Sequence, residues 1–162
     1  MNGCVDFTQT GTIKAVSEDP LVERARAAAL RAYAPYSGFS VGCAIESVDG
    51  EVAVGSNMEN ACYRLGVCAE MAALTAASQA FGLDRIARIA VAGGNAASGE
   101  LAGAAPVTPC GGCRQSILEA AHLSGRDLEV VSASGDGRSV EVRTIGALLP
   151  LGFGPDSLKD GA

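Results

Sequence analysis

Three cysteines in two short motifs most constrain what this chain can fold into. Cys68 opens the triplet CAE (68–70) at the start of an alanine-rich run, and Cys110 and Cys113 stand far downstream in TPCGGCRQ (108–115). Both motifs fall where a strand or loop hands over to a helix. A helix N-terminus carries partial positive charge and free N–H groups, which lower a thiol pKa and favour the thiolate. Cys110 and Cys113 are spaced i, i+3, so they can face one point on a first turn. Cys68 supplies a third sulfur from another helix start. Three thiolates, one of them distant, describe a zinc site whose fourth position stays open to water, whereas a closed structural site needs a fourth protein ligand.

The rest of the composition narrows the classes of partner. Of 162 residues, 48% are hydrophobic and 19% charged, which predicts one packed domain over 1–162. A net charge of −6 suits neither a phosphate backbone nor an anionic membrane surface. No apolar run is long enough for a membrane span, and the start MNGCVDFTQTGTIKAV lacks the pattern of a signal peptide, so a reducing, cytoplasmic location is expected. In that setting the cysteines are not a disulfide framework, and Cys4, Cys43 and Cys62 are expected to be core filler.

Along the chain, residues 1–16 read as a loose lead-in. Asp19-Pro20 opens a helix through LVERARAAALRAYA, with an acceptor at the N-cap and proline at the first helical position. SVGCAIES and EVAVGSN read as a hairpin, and the run from Cys68 as a helix ending near Gly82. IARIAVAGG reads as a buried strand, GNAASGELAGAAPV as a loop and GGCRQSILEAAHL as another helix. LEVVSAS and SVEVRTI follow as strands, and 148–162 is a tail punctuated by proline and glycine. The order α-β-β-α-β-α-β-β is that of an α/β layered domain.

Glu70 lies two residues after Cys68 and so projects differently from it. A carboxylate beside a metal-activated water can take its proton and return it to a leaving group. This is the division of labour in zinc nucleobase deaminases, where a non-ligand glutamate moves the proton. C-x-E paired with a downstream P-C-x-x-C is a specific signal, whereas C-x-x-C alone also serves redox and structural sites. The chain resembles the small, homotetrameric type of cytidine deaminase from about Asp19 to Leu158. The resemblance is carried by APYSGFSVGCAI (34–45), SNMENACY (56–63), CAE (68–70), PCGGCRQ (109–115) and LLPLGFGPDSL (148–158), in that order.

The resemblance implies a three-layer α-β-α sandwich with a central mixed five-stranded sheet. It implies one Zn²⁺ per subunit on Cys68, Cys110 and Cys113, with Glu70 as proton shuttle. The implied reaction is hydrolytic deamination of cytidine and 2′-deoxycytidine in pyrimidine salvage. For the substrate, it implies that the backbone N–H at Ala69 holds the pyrimidine and that Asn57 and Glu59 hydrogen-bond the ribose 3′-hydroxyl. Phe39 would stand beside the base. Ala61 and Tyr63 would reach a neighbouring subunit's site, and Phe153 in the tail would cross an interface to stack on the base. On that basis the partners are a nucleoside and three further copies of the chain, with no nucleic acid and no membrane.

One departure stands out. Met71 occupies the position after C-A-E where the family usually has an arginine, thought to offset the negative charge of three thiolates on one Zn²⁺. Arg64 is the preferred substitute; Arg114 is usual in the family. Met71 also opens the alternative of modified cytosines or nucleoside antibiotics of the blasticidin type, against which the SNMENACY stretch argues. The rival from another class is a non-enzymatic zinc-stabilised domain closed by a fourth ligand such as Cys62. Deamination within a nucleic acid needs a basic groove and stacking platforms, and a chain with 4% aromatics and Lys14 and Lys159 as its lysines offers neither. The blander alternatives are that Asn57 closes the hairpin, that Glu59 is a solvated charge, that Phe39 and Phe153 fill core or interface, and that Tyr63 is a half-buried aromatic. His122 is read as structural.

Overall fold

The computed structural model describes residues 12–15, 19–97 and 99–159. Helix α1 (Pro20–Ala29) starts as its residues dictate: Asp19 is extended and its carboxylate accepts from Leu21 N–H at 2.9 Å, with Pro20 at the first helical position. It ends earlier than its composition suggests, because the chain beyond it is drawn to the end of the sheet. There Tyr33 N–H donates to the Asn57 carbonyl and Glu59 N–H to the Tyr33 carbonyl.

The strands are β1 (Thr12–Ala15), β2 (Phe39–Ser47), β3 (Val52–Ser56), β4 (Ile86–Ala97), β5 (Glu100–Ala102), β6 (Glu129–Ser134) and β7 (Ser139–Thr144). The other helices are α2 (Ala69–Ala80), α3 (Gly111–Ser124), α4 (Ile145–Leu148) and α5 (Asp156–Lys159). The sheet runs β1-β7-β6-β4-β2-β3, with β5 paired to the end of β4. The expected five strands are its centre, β7-β6-β4-β2-β3, and two short strands extend it to seven. β1 forms within the expected lead-in, against β7. β5 forms within the expected loop, because β4 runs on past its apolar stretch and turns back at Gly99, whose φ of +82° suits glycine.

Side-chain alternation along the central strands divides the core. On one face, α1 buries Leu21, Val22 and Ala25 against Ala44, Ala90, Ala92 and Val131. On the other, α2 and α3 bury Ala73, Leu74, Ala77, Ile117 and Ala120 against Cys43, Ile45, Ile89, Val91 and Val130. The result is the expected α-β-α layering. In each helical layer one helix comes close to the sheet over a glycine. A Cβ on Gly42 would lie 2.0 Å from the Ala25 carbonyl oxygen of α1, and one on Gly55 would lie 2.3 Å from Ala73 N of α2.

Strand directions decide where the site forms. β2 is antiparallel to both β3 and β4, and β6 is parallel to β4. Strands β3, β4 and β6 therefore point the same way. Helix α2 links β3 to β4, and α3 links the β4–β5 segment to β6. Both helices thus begin at the same end of the sheet, outside the carboxyl ends of the strands, where open α/β sheets place their ligands.

Of the cysteines outside the two motifs, Cys43 is in the core as expected, and Cys4 lies outside the described residues. Cys62 is exposed rather than core filler, because it stands on the loop between β3 and α2 and not on a packed face. His122 is on the last turn of α3, with its ring against Gly154 of the tail. Among the described residues no helix is long and apolar enough to cross a membrane.

Gly55→Ala is expected to cost about 1–3 kcal/mol, since all three nearest atoms are α2 backbone and the helix must move. Thermal unfolding followed by circular dichroism should show a Tm lowered by roughly 3–10 °C.

Candidate active site

The two N-caps are the two motif cysteines themselves. Cys68 caps α2 with φ −72° and ψ 152°, and Cys110 caps α3 with φ −67° and ψ 169°. The Cys110 sulfur lies by the free N–H groups of its own first turn and accepts from Cys113 N–H. Cys113 sits one turn into α3 and is buried, while Cys68 and Cys110 are open to the surface. The three Sγ atoms lie within 4.8 Å of one another. Sulfurs bound at about 2.3 Å to one tetrahedral zinc sit roughly 3.8 Å apart, so small rotamer adjustments bring this set onto one ion.

Their protonation supports a cation at this point. A hydrogen bond from Cys113 N–H lowers the Cys110 thiol. Burial, opposed by a hydrogen bond from Cys113 and reinforced by the charges of Cys110 and Glu70, raises Cys68. Burial and then the Glu70 carboxylate push Cys113 up strongly. The protein alone favours one thiolate and resists three, and a divalent cation among them removes that resistance. The donor set fits zinc. Cys62 is not part of the cluster, so the closed four-ligand site of the non-enzymatic alternative does not form with it.

Glu70, on the first turn of α2, is 5% exposed. It lines a cavity of about 550 Å³ together with Cys68, Cys110 and Ala69. Asn57, Glu59 and Tyr63 stand on the wall of the same cavity; Phe39, Ala61 and Phe153 do not. The Asn57 amide spans the start of β2, accepting from Val41 N–H at 2.8 Å and donating to the Phe39 carbonyl at 3.0 Å. It extends the hairpin ladder and faces the cavity at once. Glu59 is not merely solvated: it accepts from the Ser37 hydroxyl, Tyr36 N–H and Ser37 N–H, and the first two hold its carboxyl below the usual range.

Tyr63 is 80% exposed, far more than a half-buried aromatic, with its ring edge-on to Tyr36 at 6.1 Å. Phe39 and Phe153 are also exposed and so do not fill this chain's core. Phe153 lies outside the cavity, where its carbonyl accepts from Gln115 of α3 at 2.7 Å. The guanidinium of Arg114 donates to the Pro109 carbonyl at 2.8 Å and the Leu148 carbonyl at 3.0 Å, which ties the loop before Cys110 to the start of the tail. Arg64 lies on the exposed turn Tyr63–Leu65. Sequence reasoning missed Tyr36 and Ser37 as part of the wall, although both lie inside the APYSGFS block.

The geometry agrees with what the chain is similar to. The family model described as the cytidine and deoxycytidylate deaminase zinc-binding region matches residues 16–124. A cytidine deaminase of Halalkalibacterium halodurans is 37% identical over 140 residues, covering 86% of this chain and 96% of that protein. One of Mycobacterium tuberculosis is 38% identical over 131 residues, covering 81% and 85%. The solved structure of cytidine deaminase from Burkholderia pseudomallei superposes with a TM-score of 0.70 at 43% identity, covering 85% of this chain and 99% of that one.

Cys113→Ser is expected to lower bound zinc from about one per chain to well below half, because the buried thiol has no substitute in the cluster. Elemental analysis after dialysis against a mild chelator checks this, with wild-type protein as the reference.

Proposed function

Since the chain belongs to the zinc-binding cytidine and deoxycytidylate deaminase family, it is a hydrolase, and we propose that it converts cytidine and 2′-deoxycytidine with water to uridine and 2′-deoxyuridine, releasing ammonia. The observation that carries this is the shared wall of one cavity, which holds Cys68, Cys110 and Glu70 together with Asn57 and Glu59. Candidate metal-activating and sugar-binding groups thus line the same space. No basic side chain lines that cavity among the described residues, which supports a neutral nucleoside over a nucleotide or a nucleic acid.

Cys68, Cys110 and Cys113 would hold Zn²⁺. When bound, zinc supplies Lewis acidity that lowers the pKa of a water molecule. Glu70 would carry a proton from the attacking water to the amino group, which leaves as ammonia while the water oxygen bonds to the carbon that bore it. Its burial keeps bulk water from competing for the proton. Ala69 is the first residue of α2, where N–H groups have no helical partner, and this supports its donating to the pyrimidine. Asn57 and Glu59 orient the sugar. Met71, which raised the alternative of nucleoside antibiotics, is absent from the cavity wall, and this supports ordinary cytidine as substrate. Arg64 is the candidate to offset thiolate charge, since the Arg114 bonds run to carbonyls.

Tyr63, Met58 and Val67 of the cavity wall, and Leu65, expose apolar surface. Phe153 is exposed elsewhere. These surfaces support a homotetramer in which Ala61, Tyr63 and Phe153 complete sites between subunits, with Phe39 beside the base. On this reading 1–162 is one domain whose tail serves a neighbour. The free thiols among the described residues suit a reducing cytoplasm and a place in pyrimidine salvage.

Glu70→Gln is expected to keep zinc and lower cytidine turnover by at least about a hundredfold. Ultraviolet absorbance reports turnover, and full activity in that variant would remove Glu70 as the proton carrier. Light scattering should give the mass of a tetramer, and Phe153→Ala should raise KM for cytidine several-fold, in line with the roughly 1–3 kcal/mol of aromatic–base stacking.

A further inference from the structure

The turn before β2 holds a serine that the function above does not use. Ser37 lies 22 residues from Glu59 in sequence, and its hydroxyl donates to Glu59 Oε1 at 2.5 Å. The same oxygen of Ser37 accepts from Phe39 N–H at 3.0 Å. One proton and one lone pair of the hydroxyl are thus committed, and its direction is fixed. Glu59 Oε2 accepts from two backbone groups, Tyr36 N–H at 2.8 Å and Ser37 N–H at 3.2 Å.

A carboxylate offers about four acceptor positions. Oε2 has both of its positions filled by N–H groups, and Oε1 has one filled by Ser37. What remains is one lone pair on Oε1, on the cavity wall that Ser37 and Glu59 share. The terminal torsion of a glutamate is intrinsically broad. Two contacts on Oε2 alone leave Oε1 free to swing; the Ser37 hydroxyl removes that freedom.

We propose that Ser37 is a positioning residue for nucleoside selection, its hydroxyl holding Glu59 so that the last lone pair of Oε1 meets a hydroxyl of the sugar. This rests on the reading that Glu59 binds the sugar. Ser37 touches Glu59 rather than the reacting atoms, so its effect belongs to substrate binding and not to proton transfer. It also belongs only to substrates that carry the hydroxyl. Because Ser37 is exposed, removing its hydroxyl opens no hole in the core.

The test compares kcat/KM for cytidine and for 2′,3′-dideoxycytidine, whose sugar lacks both ring hydroxyls, in the zinc-loaded enzyme. Wild type, Ser37→Ala, Ser37→Thr and Glu59→Ala are measured side by side. In Ser37→Ala the preference for cytidine should fall about fivefold, as expected for a lost hydrogen bond to a charged group that is partly replaced by water. The change should appear in KM, and Ser37→Thr, which keeps the hydroxyl, should restore the preference. A merely structural role would lower both substrates in proportion. An unchanged preference in Ser37→Ala, or a threonine variant that behaves like the alanine one, overturns the proposal while Glu59→Ala still abolishes the preference. If Glu59→Ala leaves the preference intact, the sugar-binding reading of Glu59 falls as well.

Discussion

Three thiols and a carboxylate packed around one small volume repel one another as they ionise, and the architecture is arranged around that cost. Cys113 and Cys68 are pushed towards their protonated forms by burial and by Glu70, and only Cys110 is lowered by the N–H of its own helix turn. Two helix N-termini aimed at one point supply partial positive charge, and a divalent cation supplies the rest. The same requirement explains why Glu70 is buried beside the sulfurs and yet reaches the cavity. On the proposed function, Glu70 would exchange protons with a water at the metal site without becoming a ligand.

Positioning comes from backbone rather than from long side chains. Two of the three cluster cysteines are cap residues and the third is one turn into α3, so the register of α2 and α3 sets the sulfur positions directly. Gly55 lets α2 lie against β3 at backbone distance, and Arg114 ties the peptide before Cys110 to the carbonyl at the end of α4. On the cavity wall, Asn57 and Glu59 are anchored to the first residues of β2 and the turn before it. The residues of the cavity wall are therefore anchored to the same sheet.

Much of the frame was legible in the residues because local signals agreed. Asp19-Pro20, the strand-like runs of β2, β6 and β7, and Gly82 after α2 each carry a mechanism that works over a few residues. β5 was not legible, because an alanine- and glycine-rich segment has no periodicity to read, and it pairs only because β4 continues past its apolar run. β1 was hidden for a similar reason: its pairing with β7 is a long-range contact. Cys62 misled, since a lone apolar-looking thiol says nothing about whether its loop is packed. Tyr36 and Ser37 passed as turn punctuation, because the carboxylate they hold lies more than twenty residues away.

By itself the sequence determined which groups are present and their local setting: three thiols and a glutamate at helix starts, in an acidic chain without a phosphate cradle. Those are properties of residue type and short spacing. Only the tertiary structure decided that the two helix starts coincide. That depends on β2 lying antiparallel between β3 and β4 while β6 runs parallel to β4, which sends both crossover helices off the same end of the sheet. Strand order and direction are set by long-range pairing, and no short stretch of the chain carries that information.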